Sequence, residues 1–267
     1  VKRYLKACIK SFIDFFRIGG MMLAGSLSFF SVLAIIPFCL FLAALFGHIL
    51  GENIDFYRFL ASKLTGLFPK VTHRITNELS SLITYKGLGG LSLLLYGLLS
   101  LQMFSSLESS LNSIFMVKKR RSLLSSALLS FFVITIIMLI IFLSFSATSL
   151  ILMLGNYLPV MGIGKASRIL ISYIIPFILI MLTAMVLYKL LPKKRIRLGD
   201  ALSGAIFAAV FLEVAKHLFT FYILKIVRMG SIYGSLSAFM IFLLWVYYSS
   251  CIFLIGAGFI KNLGGPK

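Results

Sequence analysis

Residues 118–154 read KKRRSLLSSALLSFFVITIIMLIIFLSFSATSLILML: four consecutive cations, then an apolar run that meets no Asp, Glu, Lys or Arg before Lys165. A helix of roughly 20 apolar residues crosses the hydrocarbon core of a bilayer. Residues 18–51 are a second such run without any of these four residue types. Lipid offers the backbone no hydrogen bonds, so only helices or a closed barrel can cross it. A barrel would alternate apolar and polar residues; these runs are continuous and read as helices.

The whole chain fits that reading. Of its 267 residues 60% are apolar and only 12% charged, which excludes an ordinary soluble domain. Lys and Arg number 26 against seven Asp and Glu, a net charge of +19 that by itself would suit a nucleic-acid binder. The cations cluster between the apolar runs instead, at Lys118–Arg121 and at Lys193, Lys194, Arg195 and Arg197. That is how loops on the cytoplasmic side of a membrane collect charge. No linker, low-complexity tract or repeat divides the chain, so residues 1–267 read as one integral membrane domain.

Residues 2–17 interleave Tyr4, Leu5, Cys8, Ile9, Phe12 and Phe16 with Lys2, Arg3, Lys6, Lys10 and Arg17, the pattern of an interfacial helix on an anionic leaflet. The apolar stretch after it is too long for the core of a signal peptide and reads as a retained first helix. Six spans are expected, at about 21–49, 88–110, 125–153, 169–191, 200–224 and 232–260. Pro37 should kink the first. Residues 51–86 carry charges of both signs, with Val71, Ile75, Leu79 and Ile83 at four-residue steps. They read as an amphipathic helical segment at the outer surface. Six spans leave both termini on one side, and the loops of that side hold sixteen Lys and Arg against nine opposite. Both termini are therefore expected in the cytoplasm.

Few residues within the spans could carry chemistry. Glu213, Lys216 and His217 stand at i, i+3 and i+4, on one face of the fifth span. A lone charge at that depth costs about 2.5–3.5 kcal/mol on insertion scales, and such residues face a partner or a cavity. The simpler reading is an ion pair pinning the helix; the sharper one is a site for an anionic substrate. Ser28 on the first span reads as bonded to its own helix, or as part of that site. Glu108 reads as an ion pair with the Lys118–Arg121 cluster, or again as a substrate contact. Asp200 suits the start of the fifth helix. Tyr233 and Gly234 open the sixth and, with Pro37, are candidate gating positions. Gly204 and Ala208 permit close helix approach. Cys8, Cys39 and Cys251, like His48, His73 and His217, are scattered without metal or redox spacing. Neither a metal nor a cofactor is expected.

Four stretches together resemble the YihY/BrkB family of bacterial inner-membrane proteins, formerly labelled ribonuclease BN. They are Gly25–Pro37; Gly87–Gly90 with Leu107–Phe115; Leu190–Ala205 continuing to Glu213–Phe219 and Tyr222; and Ile232–Leu236 with Leu244–Tyr247 and Gly256–Ala257. The resemblance covers essentially the whole chain. It implies six helices in the inner membrane. Where that family often carries Glu after the final Gly-Ala, this chain has Gly258. The old nuclease label is at odds with a chain lacking His/Asp clusters for a catalytic metal. The sequence thus points to a non-enzymatic transporter or flippase of a lipid or other amphiphile. The alternative is a structural or assembly subunit that binds envelope proteins. Membrane lipids are the expected partners, and nucleic acid is not.

Overall fold

The computed structural model describes residues 2–34, 90–117, 121–122, 125–137, 139–140, 143–144, 174–225 and 237–263. The amphipathic segment 51–86, Pro37, Tyr233, Gly234 and Cys39 lie outside them. Every regular element among the described residues is helical. We label the helices α1 (Lys2–Arg17), α2 (Gly20–Ala34), α3 (Gly90–Ile114), α4 (Ser125–Ile137), α5 (Ile175–Leu190), α6 (Leu198–Lys225) and α7 (Ser237–Leu263). Each of the six expected stretches overlaps one of α2 to α7. Among the described residues, two helices are long and apolar enough to cross a bilayer: α6 over Leu198–Ile223 and α7 over Phe239–Leu263. A third is added if the α1–α2 pair counts as one broken span. Helices α4 and α5 are apolar but shorter.

Local sequence sets most boundaries. Between α1 and α2 the chain turns through 78°. Gly19 makes that turn with φ +68°, a region open to glycine and strained for other residues. A Cβ on Gly20 would overlap the Phe15 ring, so the corner closes tightly. Helix α3 ends with Met116 at φ 56° and the Val117 amide bonding back to the Asn112 carbonyl at 2.8 Å. A non-glycine residue held there costs roughly 1–2 kcal/mol. Pro176 occupies the first turn of α5, where a missing amide proton costs nothing. Pro192 follows α5 and disfavours its continuation.

The core forms where α7 packs on α1, α3 and α6, with α5 against α6. Helix α6 turns Ala201, Gly204, Ala205, Ala208 and Ala209 inward, all of them buried. A Cβ on Gly204 would overlap Ile260, and one on Gly256 would overlap the Tyr188 hydroxyl while lying 3.3 Å from Ala208. Small residues give close van der Waals packing, the main force joining helices in lipid, where apolar burial offers little. The opposite face of α6 exposes Leu202, Ile206, Val210, Val214 and Leu218, as a lipid-facing helix should.

Candidate functional site

On α6, four turns past its start, the spacing of Glu213, Lys216 and His217 brings their side chains together. The Lys216 ammonium lies 2.7 Å from one Glu213 carboxylate oxygen and donates to the other at 2.8 Å. His217 Nε2 is 3.5 Å from the first oxygen. One turn on, the Thr220 hydroxyl donates to the Lys216 carbonyl at 2.8 Å. Side-chain exposure is 28% for Glu213, 24% for Lys216 and 70% for His217. The carboxylate is thus held by its own helix, at the flank between the packed face and the exposed Val210, Val214 and Leu218. Among the described residues no side chain of another helix pairs with it. Just beyond, Phe219 and Ile223 pack on Ile241 and Trp245 of α7, which steadies this end of α6.

Glu108 is placed differently. It is 5% exposed on α3, pairs with Arg121 at 3.3 Å and accepts a hydrogen bond from the Ser126 hydroxyl at 2.5 Å. Arg121 also donates to the Leu191 carbonyl at 2.9 Å, and the Asn112 side-chain oxygen accepts from the Lys193 amide at 2.9 Å. Lys189 donates to the Ile196 carbonyl. These bonds join α3, the start of α4 and the α5–α6 connection into one polar clamp. Of the Lys118–Arg121 cluster, Arg121 supplies the expected ion pair.

The other candidates separate as well. Ser28 is buried on α2 and donates to the Gly25 carbonyl at 2.8 Å, bonding its own turn. Asp200 stands in the first turn of α6, not at its cap. The helix begins two residues earlier than expected, because the Ala201 amide already bonds the Arg197 carbonyl at 3.0 Å. The Asp200 carboxylate then complements the helix dipole from within the first turn.

Sequence reasoning missed two features. The Tyr188 hydroxyl, fully buried, donates to the Phe253 carbonyl at 2.6 Å while its ring stacks on Phe253 at 4.7 Å. Gly256 was its only trace in the sequence, since a side chain there would occupy the hydroxyl's place. The second is the seat of α1 on the end of α7. Ser11 is fully buried, and a Cβ on Gly258 would lie 3.4 Å from its Cβ. Asp14 accepts from Asn262 at 3.1 Å and stands 3.9 Å from the Lys261 ammonium, while Arg3 donates to the Leu263 carbonyl. A lone acid in a basic helix was the signal for this contact. Gly258 occupies the position where a glutamate is common in the resembling family, and here it lies under α1. Among the described residues no three His, Cys, Asp or Glu side chains come together as a metal site.

Comparison with known proteins agrees with the membrane reading. The family model described as Virulence factor BrkB matches residues 14–262. A "UPF0761 membrane protein" of Pelodictyon phaeoclathratiforme is 30% identical over 98% of this chain and 62% of its own length. One from Pseudoalteromonas atlantica is 26% identical over 90% of this chain and 80% of its own. The chain spans about three fifths of the length of the first curated relatives it matches. No solved structure matches it. The chain belongs to the BrkB family of membrane proteins.

Proposed function

We propose that this member of the BrkB family is a six-span protein of the bacterial cytoplasmic membrane, both termini cytoplasmic, that moves a lipid or other amphiphile with an anionic head group. The observation that carries this reading is the Glu213–Lys216 pair. It lies deep within a span-length apolar helix, is satisfied among the described residues by one helical turn, and is about a quarter exposed beside the lipid-facing flank. A structural ion pair would be expected to join two helices; among the described residues this one joins none. An arriving phosphate or carboxylate can replace Glu213 as the partner of Lys216, so the ammonium is never left bare. His217, the most exposed of the three, lies 3.5 Å from a Glu213 oxygen and can keep the released carboxylate partnered through its ring N–H.

The test is flux of a fluorescent anionic phospholipid in proteoliposomes. Glu213→Gln and Lys216→Met are each expected to reduce translocation at least tenfold with the fold intact. Normal transport by both variants would contradict the site.

The assembly-subunit reading has less to rest on. The small-residue faces that could bind another protein are filled from within, Gly204 by Ile260 and Gly256 by Tyr188. That reading predicts a stable co-purifying envelope protein and no flux from the purified chain. Neither reading involves an enzymatic step.

A further inference from the structure

Helix α1 presents three faces, separated by the 100° advance of each residue. Ala7, Ser11 and Phe15, at four-residue steps, are 4%, 0% and 3% exposed and form the seat on α7. Leu5, Ile9, Ile13 and Phe16 form a second stripe, each more than half exposed. Lys6, Lys10 and Arg17 make the third face and are also exposed. Asp14 is the one acid in the helix, and Asn262 and Lys261 draw its carboxylate away toward α7. The outward surface therefore offers only cations beside an apolar stripe.

The position of that surface follows from its contacts. Helix α1 touches α7 at Gly258, Phe259, Lys261, Asn262 and Leu263, the last turns of a helix long and apolar enough to cross the bilayer. After Arg17 the chain bends by 78° into α2. Contacts with the last turns of a span would put α1 at head-group depth. There the apolar stripe meets acyl chains, and the cations meet phosphate.

We propose that α1 is a docking surface for anionic phospholipid of the leaflet in which it lies, with Lys6, Lys10 and Arg17 holding the head groups. The latch of Asp14 to Lys261 and Asn262 is a positioning device: it fixes the rotation of α1 so that the cationic face looks outward. This surface is independent of the Glu213 group and would persist if that site proved structural.

The test uses the full chain, immobilised in detergent and equilibrated with mixed micelles of phosphatidylglycerol and phosphatidylcholine in equal amounts. Retained lipid is measured at low salt and at about 1 M salt, where surface electrostatics is screened within ~3 Å. The wild-type chain should retain phosphatidylglycerol in excess at low salt and lose the excess at high salt. Each cation near a membrane surface changes anionic-lipid binding about fivefold, so Lys6→Gln with Lys10→Gln should collapse the excess. These residues touch neither the seat nor the latch, so the fold is preserved. Lys194→Gln with Arg195→Gln, in the α5–α6 connection, should leave most of the excess in place. An excess unchanged by the α1 pair, or lowered equally by the loop pair, would overturn the proposal.

Discussion

Two glutamates, Glu108 on α3 and Glu213 on α6, sit within helices of the bundle and meet opposite fates. Glu108 is buried, and its partners Arg121 and Ser126 come from a different segment of the chain. Glu213 is more exposed, and its partners Lys216 and His217 stand within one turn of it. The first arrangement holds helices together and breaks only if they part. Among the described residues the second joins no other helix, so its charges can be exchanged without moving the backbone. A charge that binds structure and one available to a ligand are thus distinguished by where the counter-charge comes from, not by the charge itself.

The sharpest way to break this contrast is to delete the carboxylates in turn. Removing one partner of a buried ion pair costs roughly 3–5 kcal/mol, and Glu108→Ala should approach the lower figure, since Arg121 retains some solvent contact. Thermal unfolding in detergent would show it as a clearly lowered midpoint. Glu108→Ala with Arg121→Met should recover much of the loss, because no bare charge then remains.

A smaller effect is expected in the seam where α5, α6 and α7 meet. Gly256→Leu forces the Tyr188 hydroxyl aside and overpacks the junction of α5, α6 and α7, at about 1–3 kcal/mol. Smaller still, Tyr188→Phe removes one hydrogen bond to the Phe253 carbonyl and should cost about 1 kcal/mol. A drop from Tyr188→Phe as large as that from Gly256→Leu would mean the hydroxyl, not the packing, holds the junction.

Much of this organisation was legible in composition. Apolar length alone located α6 and α7 to within a few residues, because a bilayer-spanning helix needs no partner to declare itself. The grouping of Glu213, Lys216 and His217 was equally plain, being fixed by helical periodicity within one element. What escaped were contacts between elements distant in sequence: Ser11 with Gly258, Asp14 with Lys261, Tyr188 with Phe253. Nothing local marks such pairs except an out-of-place residue, an acid among cations or a glycine in a span. The 78° corner had the same character. Gly19 and Gly20 permit it, but the Phe15 ring over Gly20 decides how tightly it closes. Glu108 fell between the two cases. The nearby basic cluster foretold an ion pair, whereas its depth depends on Leu191 and Ser126 arriving from elsewhere.

The central claim, that Glu213 serves a ligand and Glu108 serves the fold, is tested most directly by measuring both properties on both variants. Glu213→Gln and Glu108→Gln would be reconstituted side by side, recording anionic-lipid flux per folded molecule and the unfolding midpoint. The account predicts a crossed result: Glu213→Gln loses flux with its midpoint nearly unchanged, and Glu108→Gln loses stability while its folded fraction still transports. If Glu213→Gln transports like the wild type, or loses flux only in step with its stability, the claim is contradicted.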